Sequence, residues 1–262
     1  MDGIEKITTN SLNKIKHLIC VSSGKGGVGK SYVTSVIASK LNKLGYKVGI
    51  IDGDIVGPSI PRAFNLKDKL EGDPNGLIFP SITKEGIKIV SSNLLISKED
   101  DPIVWRSQLT TSLLLQFYKD VFWGELDFLL IDMPPGTSDI TLTAYQSLNV
   151  DGVLIVSTPQ DLVKLIVTKS IKMAKLLNIP ILGLIENMSY VVCLDCNKKI
   201  NLFGESRLKD IAKENNINTF TSLPLSSINL ELIEKGKATE INENNLDIII
   251  EELRKLLWIK KN

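Results

Sequence analysis

The chain has 262 residues, 43% of them hydrophobic and 23% charged, long enough to bury a sizeable core as one large globular domain and at most two. Its 31 Lys and Arg against 30 Asp and Glu leave a formal net charge of +1, with no excess to draw nucleic acid, anionic lipid or an acidic substrate. Three cysteines are too few for a disulfide framework and point to a reducing compartment with free or metal-bound thiols.

Residues 1–16 are polar and mixed in charge, without the apolar core of a signal peptide, so a cytoplasmic protein is expected, with 1–15 as a polar tail and 16–262 as one domain. Apolar runs rich in Ile, Val and Leu predict buried strands at 18–21, 47–51, 128–131, 152–156, 180–185 and 219–223. Helical periodicity predicts helices at 30–44, 107–121, 140–148, 161–177, 205–215 and 227–235, with a last one at 246–258. Segment 66–99, punctuated by Gly and Pro, reads as a small hairpin insertion. The alternation predicts an α/β fold: a mostly parallel central sheet flanked by helices on both faces, with ligand sites beyond the strands' carboxyl ends. No apolar run approaches the ~20 residues needed to cross a bilayer.

Gly24-Lys25-Gly26-Gly27-Val28-Gly29-Lys30-Ser31 follows a predicted strand and opens a predicted helix, matching the phosphate-loop pattern G-x-x-x-x-G-K-[ST]. The glycines let consecutive backbone N–H groups face a phosphate chain, the helix N-terminus adds its positive end, Lys30 reaches the outer phosphates and Ser31 coordinates Mg²⁺. Gly24, Gly26 and Gly29 also satisfy G-x-G-x-x-G, with Asp52 about 20 residues on as a dinucleotide fold requires. Lys30-Ser31, which that fold does not need, favours the phosphate loop. Asp132 ends the apolar run 128–131 ahead of Met133-Pro134-Pro135-Gly136-Thr137, as expected of a carboxylate that supports Mg²⁺ beside the loop. Asp52 and Asp54 follow another strand, and one of the two is a candidate to position an attacking water. Cys193 and Cys196 have the spacing to face one metal centre; structural zinc, iron–sulfur and redox thiols all remain open from spacing alone.

Read in full, the loop resembles the deviant Walker A ATPases, the group of MinD, ParA and the nitrogenase iron protein, for which Lys25 is the mark. Asp52-Gly53-Asp54-Ile55-Val56-Gly57-Pro58-Ser59-Ile60-Pro61, Val104-Trp105-Arg106, Trp123-Gly124-Glu125-Leu126-Asp127, Asp132-Met133-Pro134-Pro135-Gly136-Thr137, Thr158-Pro159-Gln160-Asp161 and Glu186-Asn187-Met188-Ser189-Tyr190 narrow the resemblance to the Mrp/ApbC family of iron–sulfur cluster carriers. The resemblance implies ATP binding and hydrolysis, a homodimer in which Lys25 reaches the partner's phosphates, Asp54 near the attacking water, Asp132 on Mg²⁺ and Asn187 on adenine. It also implies a [4Fe–4S] cluster bridged by Cys193 and Cys196 of two chains and passed to apoproteins, with no nucleic-acid or membrane partner. A symmetric pair would supply the two missing thiolates.

Three departures matter. Tyr32 stands where the group has Thr or Ser, so a hydroxyl contact to the α-phosphate is lost or changed, and hydrolysis is expected to be slow. The cysteine-rich N-terminal extension of the eukaryotic scaffolds and the extra N-terminal domain of many bacterial members are not in this sequence, as expected of a short prokaryotic form. Leu194-Asp195 differs from the pair often found between the cysteines. The rival readings are a MinD- or ParA-like spatial switch, with the basic, apolar C-terminal helix as its membrane contact, and a nitrogenase-type reductase. A packed terminal helix is the simpler expectation, Cys20 reads as a core residue, and His17 reads as a surface or strand-end residue. Trp105 and Arg106 are candidates for contacts with a partner or second subunit, and equally for core packing and helix capping.

Overall fold

The computed structural model describes residues 6–74, 76–95, 107–160, 163–193 and 195–259, so Val104, Trp105, Arg106, Asp161 and Leu194 lie outside the described residues. From its first buried residue, His17, β1 (Lys14–Ser23) alternates between two cores, with Leu18 and Cys20 in one and Ile19 and Val21 in the other. Next come α1 (Lys30–Lys43), β2 (Val48–Asp52) and the short α2 (Ile60–Ala63). β3 (Glu71–Gly72) and β4 (Ile78–Phe79) form the small antiparallel hairpin expected in the 66–99 segment. The same segment also holds β5 (Ser81–Ile82) and β6 (Lys88–Val90), which the sequence reading missed and which join the main sheet. The βα alternation then runs through α3 (Ser107–Lys119), β7 (Glu125–Asp132), α4 (Asp139–Ser147), β8 (Gly152–Ser157), α5 (Val163–Leu176) and β9 (Ile181–Val192). β10 (Lys199–Ile200), α6 (Leu208–Glu214), β11 (Phe220–Pro224), α7 (Ser227–Glu234) and α8 (Asp247–Ile259) complete the described chain.

Among the described residues the main sheet has nine strands in the order β10-β9-β8-β1-β7-β2-β6-β5, with β11 pairing on β9. The pairs β1–β7, β1–β8, β2–β7, β2–β6, β8–β9 and β9–β11 are parallel, and only β5 and β10 run antiparallel at the margins. Residues of α1 and α8 fill the core on one face, and residues of α3, α4, α5 and α6 fill the other. Trp123, wholly buried, donates from Nε1 to the Phe117 carbonyl at 3.0 Å, so its polar atom costs nothing while its ring contributes about 1.5–3 kcal/mol of burial.

α8 packs as a terminal helix, with Ile249, Ile250 and Leu253 buried against the sheet. No helix among the described residues is long and apolar enough to cross a membrane. Two expectations need correction. β1 starts at Lys14, ahead of the apolar run, because residues 14–15 pair with Glu125 and Leu126 of β7. His17 therefore lies inside the strand, buried rather than at a surface, with its ring 5.7 Å from that of Phe128 and Nδ1 3.7 Å from Asp151 Oδ1.

Candidate functional site

The parallel strands deliver their carboxyl ends to one edge of the sheet, where β1 runs directly into the glycine loop. Gly29 caps α1 at φ 77°, and a Cβ there would stand 2.2 Å from Asn187 Nδ2, so both the backbone conformation and the close approach demand glycine. Gly24 packs against Ile166 of α5, and Ser23 Oγ donates to the Lys25 carbonyl at 3.0 Å. A cleft of about 280 Å³ runs along the loop, lined by Lys25, Gly26, Gly27, Lys30, Ser31 and Asp54 among others.

Register brings Val21 and Asp52 to either side of Asp132, so the tips of β1, β7 and β2 meet beneath this cleft. Asp132 accepts from Ser31 Oγ at 2.6 Å on Oδ2 and from Thr34 Oγ1 at 2.7 Å on Oδ1. Lys30 Nζ lies 2.8 Å from Asp132 Oδ1, yet this buried ammonium makes no directed hydrogen bond, so its protons remain available to an anion in the cleft. Gly53 N–H donates to the Asp132 carbonyl at 2.9 Å, and a Cβ on Gly53 would stand 2.8 Å from that oxygen, which locks the Asp52–Asp54 turn against β7.

The two aspartates of that turn have different surroundings. Asp54 is half-exposed, lines the phosphate cleft and accepts from Gly57 N–H at 3.3 Å. Asp52 is wholly buried; its Oδ2 accepts from the Ser59 and Ile60 N–H groups at 3.0 and 3.1 Å and from Ser91 Oγ at 3.2 Å, while Oδ1 has no partner. Burial, and next the charge of Asp132, push the Asp52 pKa up to about 7. The unfolded chain releases this proton near 3.8 and the folded chain holds it to about 7, so between those values the native state binds more protons and loses stability as pH rises. Urea midpoints of nucleotide-free protein are expected to fall between about pH 5 and pH 8 in the wild type and to fall less in Asp52→Asn. Parallel profiles for the two proteins would refute the assignment.

Beyond the loop, β9 bulges. Ser222 and Pro224 of β11 oppose Glu186 and Tyr190 of β9, and Met188 takes a left-handed φ of 56° between them. The bulge swings Asn187 and Met188 against the glycine loop, where Asn187 Nδ2 donates to the Val28 carbonyl at 3.0 Å. Asn187 thus braces the loop, and it also lines a smaller, largely apolar cleft with Met188, Pro224 and Leu230. Tyr32 lines the same cleft and accepts from Asn229 Nδ2 of α7 at 3.0 Å, so its ring fits between α1 and α7. Lys25 turns its ammonium to Gln160 Oε1.

β9 continues past the bulge to Val192, well beyond the 180–185 run, and delivers Cys193 and Cys196 to a tight turn before β10. Asn197 N–H donates to the Cys193 carbonyl at 2.9 Å, Cys193 N–H to Lys198 at 3.0 Å, and Asn197 adopts φ 56°. The Cys196 N–H, then the Asp195 N–H and the Cys196 thiol, hydrogen-bond the Cys193 sulfur and lower its pKa, so the turn favours a thiolate ligand. Cys193 is half-buried and Cys196 exposed; Cys20 is buried in the core, where desolvation raises its pKa. No group of three or more His, Cys, Asp or Glu converges among the described residues, so each chain offers a pair of thiols.

A parallel sheet whose first strand leads through a glycine loop to Lys30 and Ser31, both set against a carboxylate at the tip of the neighbouring strand, is the architecture of a P-loop nucleoside triphosphatase. The model of the ParA family described as NUBPL iron-transfer P-loop NTPase matches residues 14–257, and the chain belongs to that family. It is 46% identical over 255 residues to an iron–sulfur cluster carrier protein of Clostridium perfringens, covering 94% of this chain and 89% of the relative. It is 47% identical over 232 residues to the protein of that description in Methanocaldococcus jannaschii, covering 88% and 80% of the two. Among solved structures, a nucleotide-binding protein from Archaeoglobus fulgidus in complex with ADP superposes with a TM-score of 0.76 at 41% identity, covering 86% of this chain and 88% of that one.

The loop residues, Asp54 and Asp132 come together as the sequence suggested. Thr34 and Asn229 were missed, and Gln160, quoted within the Thr158–Asp161 motif, was given no role of its own. Thr34 was detectable, since it lies one helical turn beyond Lys30 and Ser31 on α1; Asn229 carries no local signal.

Proposed function

We propose that this chain is a single-domain cytoplasmic ATPase that, as a homodimer, carries a [4Fe–4S] cluster on Cys193 and Cys196 of both subunits and delivers it to apoproteins. The observation that carries the reading is the half-site: two thiols in one turn, one of them favoured as thiolate by backbone N–H groups, with no further ligand nearby among the described residues. A twofold axis completes four thiolates, the ligand set of a [4Fe–4S] cluster. The turn stands at the surface, as suits a cargo that must leave. The names borne by the Clostridium and Methanocaldococcus relatives point the same way.

In the nucleotide site, the loop amides from Gly24 to Ser31 and the undirected ammonium of Lys30 would hold the phosphates of ATP, Ser31 and Asp132 would support Mg²⁺, and Asp54 would orient the water. The hydroxyl and carboxylate of Ser31 and Asp132, 2.6 Å apart, are the hard oxygen donors that Mg²⁺ prefers; bound there, Mg²⁺ would neutralise charge on the outer phosphates. β9 links the two functions, bracing the loop through Asn187 and ending at Val192, one residue before Cys193.

Lys25 would exchange Gln160 for the partner's phosphates. Lys25→Ala is expected to lower kcat about a hundredfold and to abolish ATP-driven dimerisation, while ADP binding by the monomer stays unchanged. Turnover and dimerisation equal to wild type would refute the trans role. The carrier reading is tested by anaerobic reconstitution, measuring iron, sulfide and zinc with absorbance near ~400 nm. Uptake of about four irons per dimer and transfer to an apo-acceptor support it. A cluster that cycles in redox state without leaving indicates a reductase; binding of zinc alone, or of nothing, indicates a nucleotide switch of the MinD or ParA kind.

A further inference from the structure

Tyr32 sits where the two clefts meet: Gly29 and Tyr32 belong to the walls of both. The phenol oxygen reaches away from the loop to α7, where Asn229 Nδ2 donates to it at 3.0 Å. The ring packs against the α1/α8 core, and its edge is fixed at the end of the loop. Burial pushes its pKa up to about 12, so the ring stays a neutral phenol at physiological pH. Met188, Pro224 and Leu230 line the same cleft, a mostly apolar surround with one aromatic face beside the last loop glycine. This cleft adjoins the loop cleft at Gly29 and Tyr32, within reach of the remaining part of a ligand whose phosphates occupy the loop.

We propose that Tyr32, steadied by Asn229, is a base-selecting platform that receives the purine of the bound nucleotide and replaces an α-phosphate hydroxyl contact with an aromatic one. This rests on the nucleotide reading above. It gives a chain lacking the short hydroxyl a binding term that depends on the base rather than on the phosphate chain. A purine, with its larger fused face, gains more from an aromatic platform than a pyrimidine does.

The test is calorimetric binding of ADP, CDP and inorganic tripolyphosphate to the full chain as wild type, Tyr32→Ala, Tyr32→Phe, Asn229→Ala and the Tyr32→Phe/Asn229→Ala double variant. Tyr32→Ala is expected to weaken ADP about tenfold, CDP less, and tripolyphosphate by no more than about twofold. Tyr32→Phe, which keeps the ring and is the safer variant for folding, and Asn229→Ala are each expected to weaken ADP about threefold, with the double variant no worse than either. Equal losses for ADP and tripolyphosphate would overturn the platform by placing the effect on the phosphate loop, and unchanged ADP affinity in Tyr32→Ala would overturn it outright. Wild type that binds neither ADP nor tripolyphosphate would overturn the nucleotide reading itself and the platform with it.

Discussion

Replacing Asp132 with alanine is expected to destabilise the nucleotide-free protein by about 3–5 kcal/mol, because it removes one partner of a buried ion pair. Lys30 is 6% exposed and Asp132 fully buried, so water from the cleft is a poor substitute for the carboxylate. Ser31 loses its acceptor in the same step, and Thr34 is left with only the Lys30 carbonyl at 3.1 Å. One group pushes back. Asp52 is held protonated to about pH 7 partly by the charge of Asp132, and without that charge it ionises more readily and offers Lys30 a substitute counter-charge. The loss is therefore expected at the high end near pH 5 and at the low end near pH 8, by about 1 kcal/mol or more. Asp132→Asn, which keeps an acceptor for one hydroxyl, is expected to lose less, and Lys30→Met/Asp132→Ala to recover much of the loss because no unpaired charge remains. Guanidinium unfolding of the four proteins measures all of this. A single variant within about 1 kcal/mol of wild type would show that the pair is not sequestered from water.

Iron uptake is expected to disappear entirely in Cys193→Ala/Cys196→Ala, with stability and ADP affinity unchanged. Alanine loses the bonds to the Cys193 sulfur but keeps the backbone bonds that close the turn: Asn197 N–H to the Cys193 carbonyl, Cys193 N–H to Lys198, and the β9–β10 pairing of Lys199 with Val192 and Ile200 with Val191. Their removal opens no cavity in the core. Either single variant is expected to lose the cluster as well, because two thiolates per dimer cannot close a four-thiolate site. Cys20→Ala is the internal control. Buried between β7 and β8, Cys20 is expected to cost stability when truncated while leaving iron uptake intact. Iron retained by the double variant would move the cluster site away from this turn.

How much of this was legible in the sequence depended on how local each interaction is. A phosphate loop is a contiguous device, a strand end, a run of glycines and a helix start, so Gly24 to Ser31 announced itself. Asp132 did likewise at the end of an unbroken apolar run. Asp52 and Asp54 illustrate the opposite. In sequence they are two carboxylates after one strand, and burial separates them: α2 and Ser91 close over Asp52 while Asp54 stays at the cleft. β6 escaped notice because three residues in a Gly- and Pro-rich segment become a strand only through pairing with β2. His17 looked peripheral until the pairing of Lys14 with Glu125 lengthened β1 around it.

The sequence by itself determined the chemistry that backbone turns and short spacings can hold: the phosphate loop, the carboxylate beside it, the thiol pair and the alternation that makes a parallel sheet. Tertiary structure alone decided which aspartate is buried, that Asn187 braces the loop from a bulge in β9, and that Tyr32 meets Asn229 from 197 residues away. Those outcomes depend on the lateral order of the strands, and that order is set by how both faces of the sheet are covered at once, which no single window of sequence contains.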